Sequence, residues 1–179
     1  EILAKELTEL GANNVTIGRR AVSFTGDQAL MDRANLYLRT AIRILQPILR
    51  FKASDADAVY DKVKAFGWSK LMTVKTTFAI DATVNSESFR HSKFVAYRVK
   101  DAIVDQFMER ENRRPNVRIN NPDLYINVHI SHDECTIALD SSGESLHKRG
   151  YRNSQNEAPI SEALAAGMLL MAGWNGETD

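Results

Sequence analysis

Apolar positions along this chain alternate between two periods, and each change of period marks a new element. Ile2, Leu3, Leu7 and Leu10 recur at helical spacing, and Gly11 supplies a stop. Two short alternating runs follow, residues 14–17 and 21–25, with Gly18 and Arg19 at the turn between them. Thr25-Gly26-Asp27 opens a second predicted helix that reaches about residue 35. Residues 41–51 read as a strand with Ile42 and Ile44 on one face, and Pro47 assigns it to a sheet edge or a bulge. With one further strand upstream, the order would be β-α-β-β-α-β, the ferredoxin-like arrangement. Residues 1–52 are therefore expected to form a truncated ferredoxin-like unit that lacks its first strand.

Ser54 and Asp57 form a Ser-x-x-Asp capping pattern, and Val59, Val63 and Phe66 continue it as an amphipathic helix that Gly67 ends. A long alternating strand is predicted next. Met72, Val74, Thr76, Phe78, Ile80 and Ala82 share one of its faces, and Lys75, Thr77 and Asp81 the other. A long helix starts between Ser86 and Ser92 and runs to about Glu111. Ala96, Val99, Ile103 and Phe107 fall on its sheet-facing arc. Residues 117–119, 124–131 and 135–140 read as strands, separated by turns at 120–123 and 132–134. An apolar helix is predicted from Ala158, with Pro159 in its first turn and Leu164, Met168 and Met171 on one face. The predicted class is α+β. The one plausible linker lies near Ala53.

Composition narrows the picture in a few ways. Among 179 residues, 23 lysines and arginines balance 23 acids, so no overall basic character points to nucleic acid, and local patches must carry any such role. The single cysteine, Cys135, excludes an internal disulfide and suits a reducing, cytoplasmic setting. No apolar run is long enough to span a membrane, so no membrane partner is expected. The chain opens at Glu1 inside a helical pattern, without a starting methionine or signal peptide, which reads as a fragment truncated at both ends.

Local positive charge gathers in three places. Lys93, Tyr97 and Lys100 share an arc of the long helix, joined by Arg90 if the helix starts early. Arg110, Arg113, Arg114 and Arg118 surround the turn after it. Lys148, Arg149 and Arg152 follow later, and no Lys or Arg comes after Arg152. Cations with one aromatic suit phosphate contacts, and arginine forks match phosphate geometry. A solvated helix face and a cationic helix end would carry many of the same residues. No catalytic constellation emerges. His129 and Asp133 lack a third residue spaced as a metal ligand, Cys135 alternates with Ile137 and Leu139 as a buried residue would, and no Gly-rich phosphate or dinucleotide loop follows a strand.

Two segments carry a family resemblance. The first is Asp140-Ser141-Ser142-Gly143-Glu144-Ser145-Leu146-His147-Lys148-Arg149-Gly150-Tyr151-Arg152. The second is Ala158-Pro159-Ile160-Ser161-Glu162-Ala163-Leu164-Ala165-Ala166-Gly167-Met168-Leu169-Leu170. Together they resemble the bacterial large-subunit rRNA guanine-N2 methyltransferases that carry a THUMP domain, some relatives of which have been labelled adenine-specific DNA methylases. The resemblance implies a front ferredoxin-like domain at 1–52 and a THUMP RNA-binding domain at 53–141. It makes 142–179 a linker and the first helix of a methyltransferase domain that is otherwise absent. It implies structured RNA, 23S rRNA, as partner, and S-adenosylmethionine as the cofactor of the parent enzyme, with none held by this fragment. The family's Asn/Asp-Pro-Pro-aromatic motif is missing, since Asn121-Pro122-Asp123-Leu124 has neither the second proline nor the aromatic. No catalytic or metal residue is assigned, and whether the chain itself acts as an enzyme stays open. The expected RNA contacts are Arg90, Lys93, Tyr97, Lys100, Arg110, Arg113, Arg114, Arg118, Lys148, Arg149 and Arg152. Two alternatives stand beside this: a protein-interaction module that pairs copies through the terminal helix, or the RNA-binding module of a different base-modifying enzyme.

Overall fold

The structure is a computed structural model that describes residues 1–89, 91–150 and 158–174. The chain forms two compact units. One holds residues 1–44 together with the chain from 144 onward, and the other holds residues 45–143.

The front unit contains α1 (Ile2–Glu9), β1 (Asn13–Ile17), β2 (Val22–Thr25) and α2 (Gln28–Tyr37). β1 and β2 pair antiparallel. Asp27 caps α2 by accepting from the Leu30 backbone N–H at 2.7 Å, the interaction that makes Asp a favoured capping residue. Leu7, Ala34, Leu38, Ala41 and Ile44 form its core, with Leu146 packed against them. Glu6 is buried beside that core, and its carboxylate accepts from the backbone N–H and Nε of Arg39 and from the N–H and hydroxyl of Thr40. A buried carboxylate is tolerated only when its oxygens are satisfied in this way.

The second unit contains β3 (Leu45–Lys52), α3 (Ala56–Ala65), a short 3-10 turn (Trp68–Lys70), β4 (Phe78–Asn85), α4 (Ser92–Glu111), β5 (Leu124–Ser131) and β6 (Glu134–Asp140). Its sheet runs β3-β6-β5-β4. β4 and β5 are parallel and joined through α4, while β6 is antiparallel to both β5 and β3. The core gathers Trp68, Phe78, Val99, Ile103, Phe107, Ile126, Val128, Ile130 and Ile137 between the sheet and the two helices. Gln106 fastens α4 to the end of α3. Its amide donates to the carbonyls of Lys64 and Phe66 and accepts from the Trp68 N–H.

Several expectations change. The strand predicted at 41–51 begins at Leu45 and belongs to the four-stranded sheet rather than to the front unit. Its alternation specifies a half-buried strand but not which strand will accept it. Pro47 does sit on an edge strand, beside a register shift. The long strand from Met72 shrinks to β4. The Thr76 N–H bonds the Thr73 carbonyl, and the hydroxyls of Thr76 and Thr73 accept from the Thr73 and Lys75 N–H groups, so Thr73–Thr76 closes as a turn. Residues 117–119 contribute only a bridge, Phe78 to Val117. The cap of α3 is Asp55, one residue beyond Ser54. Its carboxylate accepts from the Ala58 and Asp57 N–H groups at 2.8 and 3.0 Å, and the Ser54 hydroxyl donates to it. The Ala58 N–H above all, then the Ser54 hydroxyl, holds the Asp55 carboxyl below its ordinary range.

The last helix, α5 (Glu162–Met171), starts later than predicted, because Ser161 keeps a non-helical ψ of 135° and leaves Pro159 outside the helix. Within the front unit its buried residue is Ala163, while Leu164, Met168, Leu169 and Met171 are exposed. No helix of the described residues is long and apolar enough to cross a membrane.

Candidate nucleic-acid interface

Apart from Arg90, the predicted contact residues of the second unit lie on α4 and in the segment that follows it. This helix buries Val95, Val99, Ala102, Ile103 and Phe107 on one side. The buried stripe includes the predicted Val99, Ile103 and Phe107, with Val95 and Ala102 in place of Ala96, which is only half-buried. A second side faces α3, where Arg98 pairs with Asp57, Tyr60 donates to Asp105 at 2.8 Å and Lys64 pairs with Glu109. The Arg98 guanidinium also lies 4.4 Å from the Tyr60 ring centroid. The bond to Asp105 raises the Tyr60 hydroxyl above its usual range. The third side is open and carries Lys93, Phe94, Tyr97 and Lys100.

Lys93 and Tyr97 are exposed. Lys100 is half-buried, pairs with the neighbouring Asp101 at 2.6 Å, and places its ammonium 6.0 Å from the Tyr97 ring centroid. Its charge is thus partly compensated. Arg90 lies outside the described residues. Arg98, which belongs to none of the predicted clusters, is a structural cation.

The second cluster follows the C-terminal end of α4. Asn112 takes a left-handed conformation, φ 50°, and turns the chain. Arg113 and Arg114 then lie exposed, without a polar partner among the described residues. Arg110 donates to the Ser69 hydroxyl at 2.9 Å. Arg118 stands near Asp123, whose carboxylate accepts from the Thr77 N–H and hydroxyl, both at 2.7 Å. The Thr77 N–H is the main reason that the Asp123 carboxyl lies below its ordinary range, and Arg118 adds to it. The 20 residues of α4 span about 30 Å, so the clusters around Lys93 and Arg113 stand at opposite ends of one helix. They are two separate clusters rather than a single patch.

The third cluster belongs to the front unit and divides. Lys148 is exposed. Arg149 turns inward, and its guanidinium donates to the carbonyls of Leu36, Asn35 and Leu38 at 2.8–2.9 Å. It clamps the C-terminal end of α2, whose last turn has no basic residue of its own. As an RNA contact Arg149 is therefore corrected to a structural residue, because its fork is already committed. Arg152 lies outside the described residues.

The other candidates carry no site chemistry. His129 is exposed on the sheet face opposite the helices. Cys135 is buried, and burial pushes its thiol up to about 11. Among the described residues, no three His, Cys, Asp or Glu side chains come together as metal ligands. The crossover β4-α4-β5 is the parallel one, and Ser86-Glu87-Ser88-Phe89 after β4 offers no glycine for close backbone approach.

Comparison with known proteins places these features. Residues 53–140 match the THUMP domain, and residues 1–45 match the RlmL ferredoxin-like domain. The chain is 46% identical over 173 residues to the ribosomal RNA large subunit methyltransferase K/L of Syntrophotalea carbinolica, covering 97% of this chain and 24% of that protein. It is 43% identical over 176 residues to the putative RNA methyltransferase slr0064 of Synechocystis, covering 98% and 46%. The chain thus spans about a quarter to just under half of the length of these relatives. Among solved structures, a predicted N6-adenine-specific DNA methylase from Listeria monocytogenes superposes with a TM-score of 0.82 at 32% identity, over 97% of this chain and 45% of that one. SMU.472, a putative methyltransferase complexed with SAH, superposes with a TM-score of 0.81 at 28% identity, over 97% and 46%.

Proposed function

We propose that this chain, whose residues 53–140 match the THUMP domain and whose residues 1–45 match the RlmL ferredoxin-like domain, is the RNA-binding portion of an rRNA methyltransferase. It holds structured large-subunit rRNA for guanine-N2 methylation by a catalytic part that this chain does not supply. S-adenosylmethionine belongs to that part. The observation that carries the reading is the exposure of Lys93, Arg113 and Arg114 at the two ends of α4, inside the residues that match the THUMP domain. Cations at helix ends with free N–H donors suit phosphate oxygens, and A-form RNA is recognised largely through backbone and shape.

Titration of a hairpin RNA at several salt concentrations tests this. The logarithm of the affinity should fall linearly with the logarithm of salt, because each neutralised phosphate releases counterions. Replacing Lys93, Arg113 and Arg114 by alanine should weaken binding and flatten that slope by roughly 1 for each phosphate no longer neutralised. Salt-independent binding, or no binding at low salt, would sink the proposal. A second reading, association through a protein surface, is favoured by one feature, the exposed apolar residues of α5.

A further inference from the structure

The open side of α4 carries more than charge. Phe94 is 55% exposed and Tyr97 61% exposed, on successive turns of the same side. Rings of this size on a solvated helix face bury little within the unit, and lysine or glutamate would serve helix stability better there. Neither ring stacks on another aromatic among the described residues, where the one ring pair is Phe66 with Trp68. Three positions apart on a helix, the two residues are neighbours on one side, their backbone positions offset by about 4.5 Å along the axis.

Charge on α4 is ordered in a way that folding does not explain. Residues 92–100 contain Lys93, Arg98 and Lys100 and no acid. Residues 101–111 contain Asp101, Asp105, Glu109 and Glu111 against Arg110. A helix dipole favours the reverse order, so this arrangement costs stability at both ends. It gathers positive charge around the two rings and ends at Asp101, which pairs with Lys100.

We propose that Phe94 and Tyr97 form a stacking surface for unpaired nucleobases, with Lys93 and Lys100 contacting the flanking phosphates. This rests on the RNA-binding reading above and adds the kind of RNA taken: a single-stranded segment next to a stem. A duplex engages lysines equally well, but its base faces are occupied by its own stack. An unpaired base has a free face, and stacking on an aromatic side chain is worth far more to it. A protein partner would find two rings hemmed by charged side chains rather than a continuous apolar seam.

The test compares two RNAs with the same stem, each annealed from two strands so that no loop is present, one blunt and one with a short single-stranded tail, by fluorescence anisotropy. Wild-type protein should prefer the tailed RNA. The double variant Phe94→Ala, Tyr97→Ala should bind the tailed RNA roughly ten- to a hundredfold more weakly and the blunt RNA unchanged. Tyr97→Phe, which keeps the ring, should retain the preference. Both side chains are exposed, so the variants should melt as the wild type does. Equal, salt-dependent binding of both RNAs that the double variant leaves untouched would overturn the stacking surface while leaving the RNA-binding reading intact. Failure of the wild type to bind either RNA would overturn both. A self-association abolished by the double variant, with RNA binding unaltered, would assign this side of α4 to a protein and also overturn the proposal.

Discussion

Cys135 stands on β6 with its side chain in the core, and burial above all pushes its thiol up to about 11. Desolvation penalises the thiolate, which is the reactive form. At pH 8 such a thiol is ionised in only about one molecule in a thousand. The native protein should therefore react slowly with iodoacetamide at pH 8, at least tenfold more slowly than the urea-unfolded chain, and a rate rising up to pH 11 would match the raised value. Equal rates in the two states would contradict the burial. The position was legible in sequence, since Cys135 alternates with Ile137 and Leu139. The same legibility extends to Val99, Ile103 and Phe107. It fails for Phe94: its spacing to Tyr97 was visible, but a phenylalanine reads as core until exposure is known.

At the scale of elements, Arg149 at the end of α2 shows most plainly how a cation can be withdrawn from solvent. Three N–H bonds to the carbonyls of Asn35, Leu36 and Leu38 satisfy a helix end that would otherwise rely on water. Arg149→Ala should lower the stability of the front unit by about 1–3 kcal/mol, seen as an earlier thermal transition. RNA affinity measured well below that transition should be unchanged. Arg149→Lys should not rescue the loss, because an ammonium lacks the planar fork that reaches three carbonyls. A loss of affinity without a loss of stability would restore Arg149 as an RNA contact. The clustering of Lys148, Arg149 and Arg152 in sequence gave no hint of this, because a cation that clamps a helix and one that meets phosphate have the same local composition. Segment 73–76 is a parallel case. Its alternation fits a strand, but two threonine hydroxyls compete for the backbone and close a turn.

For the molecule as a whole, zero net charge says little about nucleic acid, because the charges are sorted along α4 rather than mixed. The exposed residues of α5 raise the question of self-association. If α5 does not pair copies of the chain, the protein should sediment as a monomer, and Met168→Asp with Leu169→Asp should leave that unchanged. A stable dimer that these substitutions dissociate would favour the protein-interaction reading, since two apolar helix faces are a common means of pairing.

Local signals along the chain were enough for the class of fold and most of the elements, and the family resemblance of two motif segments pointed to the THUMP domain. Period, caps and turn residues act over a few positions, and the two motif segments sit within short stretches. Packing was needed to assign β3 to the four-stranded sheet, since any sheet with a free edge satisfies the same alternation. Packing likewise sets which cations stay free. Arg98 and Arg149 are consumed by Asp57 and by the end of α2, across 41 and more than 100 positions of chain. Lys93, Arg113 and Arg114 remain open to solvent. A charge becomes available for a ligand only when no folded partner takes it, and partners so far apart in sequence meet only once the chain is packed.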